Sequence, residues 1–175
     1  MALVKNNLIT QDDWSFVEDE AILPKGLVIV SLKRWLDDRE TLLNRSGNLG
    51  IFLRSNENPD QILQDLQFFQ VIALDFPAFT DGRAYSYARL LRERHNFDGE
   101  IRAVGNVLRD QVSLMHRCGF DAFEINADDQ KALKIWLDAE AERTVFYQPT
   151  GDGRKTVPSL RDRRRLARVE GKVAS

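Results

Sequence analysis

Two short runs of this sequence combine residue types able to hold an anion. Thr80-Asp81-Gly82-Arg83, with Ser86 close behind, sets a glycine that lets the backbone approach a ligand beside a guanidinium whose planar fork suits an oxyanion. Gly105-Asn106, leading to Arg109, Asp110 and Gln111, offers a second such loop. Asp81, Gly82, Arg83, Ser86, Asn106, Arg109, Asp110 and Gln111 are therefore the candidate ligand-binding residues. A plainer account competes with this one. Thr80 or Asp81 and Asn106 serve equally as helix caps, the two glycines as turn residues, and Arg109 and Asp110 as a solvated face. No catalytic residue is identifiable.

Other chemistries lose their usual signals. His95 and His116 stand at no ligand spacing from a second His or Cys, so no metal site is expected. Cys118 is the single cysteine, which leaves no thiolate set for an iron–sulfur cluster or haem and suits a reducing compartment. His116, two positions away, projects to another side of the helix and makes a poor base for it, so Cys118 reads as a buried core thiol. Dinucleotide, P-loop and serine-hydrolase fingerprints are absent from the sequence. Arg102 falls inside an apolar run and needs a partner, for which Glu100, Asp75 and Asp121 are candidates. Arg117 is left out of the site, because a cation near a helix carboxyl end is expected from the dipole.

The elements that must position these loops follow from periodicity. Leu27 to Val30 reads as a buried strand, and Leu32, Trp35, Leu36, Leu42 and Leu43 form one face of a helix that Ser31 caps and Gly47 ends. Leu49 to Leu53 is the next strand. Asn58-Pro59-Asp60 starts a helix whose stripe is Ile62, Leu63, Leu66 and Phe69. Val71 to Phe76 and Ile101 to Val104 are strands, each followed by a helix, about Gly82 to His95 and Val107 to Cys118. Ala122 to Ile125, a helix carrying Ala132, Leu133, Trp136 and Leu137, and Thr144 to Tyr147 complete the series. The expectation is an α/β fold, a mostly parallel sheet of about six strands alternating with five helices. It is either open and flavodoxin-like or an incomplete (β/α) barrel. Leu8 and Ile9, a turn at Gln11 to Asp13, then Trp14, Phe16 and Val17 suggest a short N-terminal β arm folded as a hairpin.

Three regions result: the arm (1–25), the α/β domain (26–150) and a basic, flexible tail (151–175). The tail carries eight Lys or Arg against three acids, a charge of +5, which leaves −7 on the rest of the chain. Such a tail can dock on an acidic surface, its own or another protein's. A net charge of −2 gives no pull toward nucleic acid or membrane, and the first 25 residues lack a secretory pattern, so the expected location is the cytoplasm.

Phe79-Thr80-Asp81-Gly82-Arg83-Ala84-Tyr85-Ser86, Ala88-Arg89-Leu90-Leu91-Arg92, Gly99-Glu100-Ile101-Arg102-Ala103-Val104-Gly105, Leu108, Asp110-Gln111 and Arg117-Cys118-Gly119-Phe120-Asp121-Ala122-Phe123 resemble the bacterial family catalogued as domain of unknown function 934. That family is described as an oxidoreductase involved in sulfite reduction. The resemblance implies an accessory protein of assimilatory sulfite reduction, with sulfite reductase or its electron donor as partner. It would act by docking, electron delivery or oxyanion handling, and so serve sulfur assimilation and cysteine biosynthesis. It supplies no catalytic residues to carry over, and it leaves a flavin open as cofactor. Two alternatives stay open beside it: a stand-alone enzyme binding a small anionic or phosphorylated ligand, and a non-catalytic interaction module, for instance a homodimer formed through the arm.

Overall fold

Runs rich in β-branched and aromatic residues supply eight strands in the computed structural model, which describes residues 2–5, 8–45 and 47–126. They are β1 (Ala2–Lys5), β2 (Leu8–Thr10), β3 (Ser15–Val17), β4 (Val28–Ser31), β5 (Leu49–Leu53), β6 (Phe69–Phe76), β7 (Glu100–Gly105) and β8 (Ala122–Ile125). Between them run four helical segments. These are α1 (Leu32–Asn44), a 3-10 helix (Pro59–Phe68), α2 (Arg83–Arg89) continued by a π turn, and α3 (Val112–Cys118) entered through a 3-10 turn.

Local chemistry sets the helix ends. Ser31 caps α1 by accepting from the Arg34 amide at 3.0 Å, and Asn58 accepts from the Asp60 amide at 3.1 Å with Pro59 in first position. Gly119, at φ +103°, ends α3 in the left-handed region. Within α1, Asp38 leaves helical geometry, and the apolar stripe loses phase there. Leu32, Trp35 and Leu42 are buried while Leu36 and Leu43, expected on the same face, are exposed.

The strand order is β2-β1-β8-β7-β6-β5-β4-β3, with β3 through β8 parallel and β1 and β2 antiparallel at one edge. On a flat sheet, β2 and β3 would stand about 33 Å apart, at about 4.8 Å per strand. The short link from Thr10 to Ser15 spans at most about 18 Å. The sheet is accordingly curled into a half-barrel whose edges approach each other.

This corrects the expectation of about six mostly parallel strands alternating with five helices. The sheet is mixed and eight-stranded, the described helical segments number four, and sequential order replaces the reversal that an open flavodoxin-like sheet needs. The expected hairpin fails too. Leu8–Thr10 pairs with Ala2–Lys5, and Ser15–Val17 pairs in parallel with β4 at the far edge. Period alone cannot see this, because a strand's partner is set by packing at long range. The expected helix around Ala132 to Leu137, the strand Thr144 to Tyr147 and the basic tail lie outside the described residues.

Sequential order with right-handed crossovers puts every helix on one face. That outer face is a single apolar cluster, with Val28, Val30, Ile51, Leu53, Ile72, Leu74, Phe76, Ile101 and Ala103 from the strands meeting Trp35, Ile62, Ala84, Leu91 and Met115 from the helical segments. The alternate residues face inward and differ in kind. Ile29, Val71, Ala73 and Val104 form a small patch covered by Trp14 and Phe52. Beside it Arg102, fully buried, donates to Asp12 at 2.7 Å and Glu100 at 2.9 Å, and Glu100 also receives Lys5 at 2.6 Å. Residues 11–14 thus cross the inner face as a strap pinned by Asp12.

Candidate functional site

Parallel strands bring their carboxyl ends to one rim, where side chains on inward-facing positions meet the loops that follow. Inward alternation places Ser31, Asp75 and Glu124 near the ends of β4, β6 and β8, and Arg54 just past the end of β5. Asp75 is half-buried, and burial pushes its carboxyl up, Asp81 adding to the effect and Arg54 opposing it. Its Oδ1 lies where a Cβ on Gly105 would come within 2.8 Å, so the glycine, at φ +88°, makes room for the carboxyl group. Burial also raises Glu124, against the pull of Arg102. The exposed Arg54 guanidinium has neither a hydrogen bond nor an ion pair among the described residues. A guanidinium without a partner among the described residues can hold an oxyanion.

The loops singled out from sequence leave β6 and β7, which are neighbours. Asn106 reaches back to β6, its amide donating to the Phe76 carbonyl at 2.7 Å. Arg83, by contrast, is turned onto its own loop. It donates to Asp81 at 2.6 and 2.9 Å and to the Ser55 hydroxyl at 3.1 Å. Hydrogen bonds to Asp81, from Arg83 first and from the Ser55 hydroxyl next, hold its carboxyl far below the usual range. Asp81 also accepts from the Arg83 amide at 3.2 Å, so it caps the turn before α2. Gly82 opens α2 without a side-chain cap, and Ser86 is exposed on it. Arg109 and Asp110 are exposed in the 3-10 turn, and the Gln111 Oε1 is buried without a hydrogen bond. Among the described residues no hydrogen bond or ion pair joins Arg83 to Asn106, Arg109 or Gln111. The helices that follow, α2 and α3, have seven residues each, too short for a strong amino-terminal dipole.

Reasoning from sequence missed Arg54, Glu124 and Asp12, and considered Asp75 only as a partner for Arg102. A usable signal was present for two of them. Arg54 directly follows the apolar run Leu49–Leu53, and Asp75 is the charged exception in Val71–Phe76. Arg102 takes Glu100 and Asp12, whereas Asp121 pairs with Arg92 and accepts from the Ile101 amide at 3.0 Å. Tyr85 is a further omission. Burial first, and the neighbouring Cys118 and Asp110 after it, push its hydroxyl up to about 12.

Two of the concavities formed by described residues are lined without any of the candidate ligand-binding residues named from sequence. A groove of about 570 Å³ at the β3–β5 side has Phe16, Ile29 and Phe52 as its floor and Glu18, Asp19, Glu20, Lys33 and Arg54 around it. Another, of about 450 Å³, lies at the opposite end of the strands between Phe69 and His95–Gly99. Among the described residues no group of three or more His, Cys, Asp or Glu is placed to hold a metal ion, and no helix is long and apolar enough to cross a membrane.

Fold and rim together define a half-barrel α/β protein with a charged carboxyl-end mouth. Residues 50–158 match the family described as bacterial protein of unknown function (DUF934), and the chain belongs to that family. The match takes in Arg54, Asp75 and both loops, and leaves out the strap and Ser31. No curated protein and no solved structure matches the chain.

Proposed function

We propose that this protein is an accessory component of assimilatory sulfite reduction that holds an oxyanion at the mouth of its half-barrel and serves a sulfite reductase or its electron donor. The sulfite-reduction role rests on the resemblance drawn from the sequence, while the family match itself carries a description of unknown function. The mouth supplies chemistry consistent with it. Arg54 is a cation with a free fork among the described residues, and burial pushes the neighbouring Asp75 carboxyl up, against the pull of Arg54. Calorimetry of the full-length chain with sulfite, and with sulfate and phosphate as comparisons, tests the anion site. Sulfite binding that Arg54→Ala weakens at least about tenfold is expected. Equal binding by parent and Arg54→Ala refutes the placement. Failure of the tagged protein to enrich its host's sulfite reductase or that enzyme's reductant removes the partner.

A second reading, an enzyme in its own right, is favoured by the raised carboxyl group of Asp75 at the rim, the position of a general acid. Turnover of a small anionic substrate that Asp75→Asn abolishes while binding persists would select this reading over the first.

A further inference from the structure

The strap and the loop after it concentrate negative charge. Gln11–Glu20 carries five acids and no base. Two are matched within the fold, Asp12 by Arg102 and Asp19 by Ser31 and Lys33. Glu18 and Glu20 have no cationic side-chain partner among the described residues, yet their backbone is fixed, because the buried Arg34 donates to the Glu18 carbonyl. These acids rim the groove of about 570 Å³ whose floor is Phe16, Ile29 and Phe52. Phe16 sits edge-on to Phe52 at 6.1 Å and is 46% exposed, and Ile22 beyond the rim is 95% exposed. An aromatic floor with unmatched carboxylates suits guanidinium groups, which pair with the acids and lie over the rings.

This chain contains such groups in one place. Arg161, Arg163, Arg164, Arg165 and Arg168 fall within eight positions of the tail, interleaved with Leu160, Leu166 and Val169. The described residues end at Asn126 on the rim, and the sequence between Asn126 and Arg154 is long enough, at about 3.3 Å per residue, to reach any part of a domain this size. We infer that the groove is the docking site of the arginine-rich segment 160–169 of the same chain. Arginines of that segment meet Glu18 and Glu20, and its apolar residues meet Phe16 and Ile22. Arg54, just past the carboxyl end of β5, also lines the groove and repels the segment locally. Docking places the tail's +5 against the acidic part of the body, consistent with the opposite charges of the two regions.

Carbodiimide cross-linking of the full-length protein tests this, because the reagent joins carboxylates to amines in direct contact, and Lys155 and Lys172 flank the segment. Mixing unlabelled and isotope-labelled protein separates links within one chain from links between copies. The expected result is Glu18 or Glu20 joined to Lys155 or Lys172 within one chain. Yield should fall about fivefold or more in 0.5 M salt, where charges are screened beyond about 4 Å. It should fall equally in Arg163→Glu/Arg164→Glu/Arg165→Glu, and return when that variant also carries Glu18→Arg and Glu20→Arg, read from links of the tail lysines to Asp13 or Asp19. Links only between labelled and unlabelled copies would assign the groove to a second molecule and overturn the assignment within one chain. Tail lysines linked elsewhere, or unlinked, overturn the site itself.

Discussion

The two faces of the sheet are built on different principles. On the outer face, buried aliphatic and aromatic side chains from strands and helices share one cluster, and no member depends on a particular partner. On the inner face, Arg102 holds Asp12, 90 positions away, and Lys5 meets Glu100, 95 positions away. Dispersion tolerates the loss of one contact among many. A buried charge does not tolerate the loss of its counter-ion, because the remaining carboxylates keep their desolvation cost. Arg102→Ala should therefore be the most damaging single change, lowering unfolding free energy by about 3–5 kcal/mol in urea titration. Leu74→Ala, a cavity in the outer cluster, should cost about 2–5 kcal/mol. Location distinguishes them better than size. Hydrogen exchange in the native state should accelerate at residues 11–14 in Arg102→Ala and stay unchanged there in Leu74→Ala. Equal exchange in both would dissolve the distinction between the faces.

The same contrast explains what could be read in advance. Val28–Val30 and Leu49–Leu53 announce themselves as strands because burial on both faces leaves an unbroken apolar run, and α1 announces itself by the spacing of Leu32, Trp35 and Leu42. Nothing local says that Ser15–Val17 joins β4 instead of folding back on Leu8–Thr10. That choice depends on a sheet curled tightly enough for a short strap to cross it, a property of eight strands together. The loops at Thr80–Arg83 and Gly105–Asn106 were legible as turns beside strands. Their side-chain pairings were not, since Arg83 could equally have faced a ligand or, as it does, Asp81 and Ser55. Asp12 was invisible as a partner because sequence distance hides an ion pair made across the sheet.

Gly105 joins the two faces, since it ends a strand of the outer cluster's sheet and shelters an inward carboxyl group. At φ +88°, a Cβ would come within 2.7 Å of the Phe76 carbonyl oxygen as well as 2.8 Å of Asp75 Oδ1. Gly105→Ala should cost about 1–3 kcal/mol from backbone strain, with more if the loop cannot shift. It should also move the Asp75 carboxyl away from the loop, which carbon-detected NMR titration of Asp75 reads as a change in its midpoint. A stability loss with an unchanged midpoint would mean that Asp75 finds the same surroundings without the glycine.

The smallest effect is in the pH dependence, and the two kinds of carboxylate pull it in opposite directions. Asp65, held by a hydrogen bond from Arg39 and outweighing its partial burial, is lowered, so its contribution is present above the unfolded carboxylate range and is lost as pH falls through its folded value. Burial raises Asp75, Glu124 and Asp121, and their contributions are complete at low pH and lost as pH rises through their folded values. Mild acidification from pH 7 should therefore raise Tm before stronger acid lowers it. Asp75→Asn, which cannot ionise, should start with a higher Tm at pH 7 and gain less on acidification than the parent. Glu124→Gln should show the same pattern while leaving Asp12 as the competitor for Arg102. A parent whose Tm falls steadily from pH 7, with Asp75→Asn running parallel to it, would show that water reaches these carboxylates as freely as it reaches exposed ones.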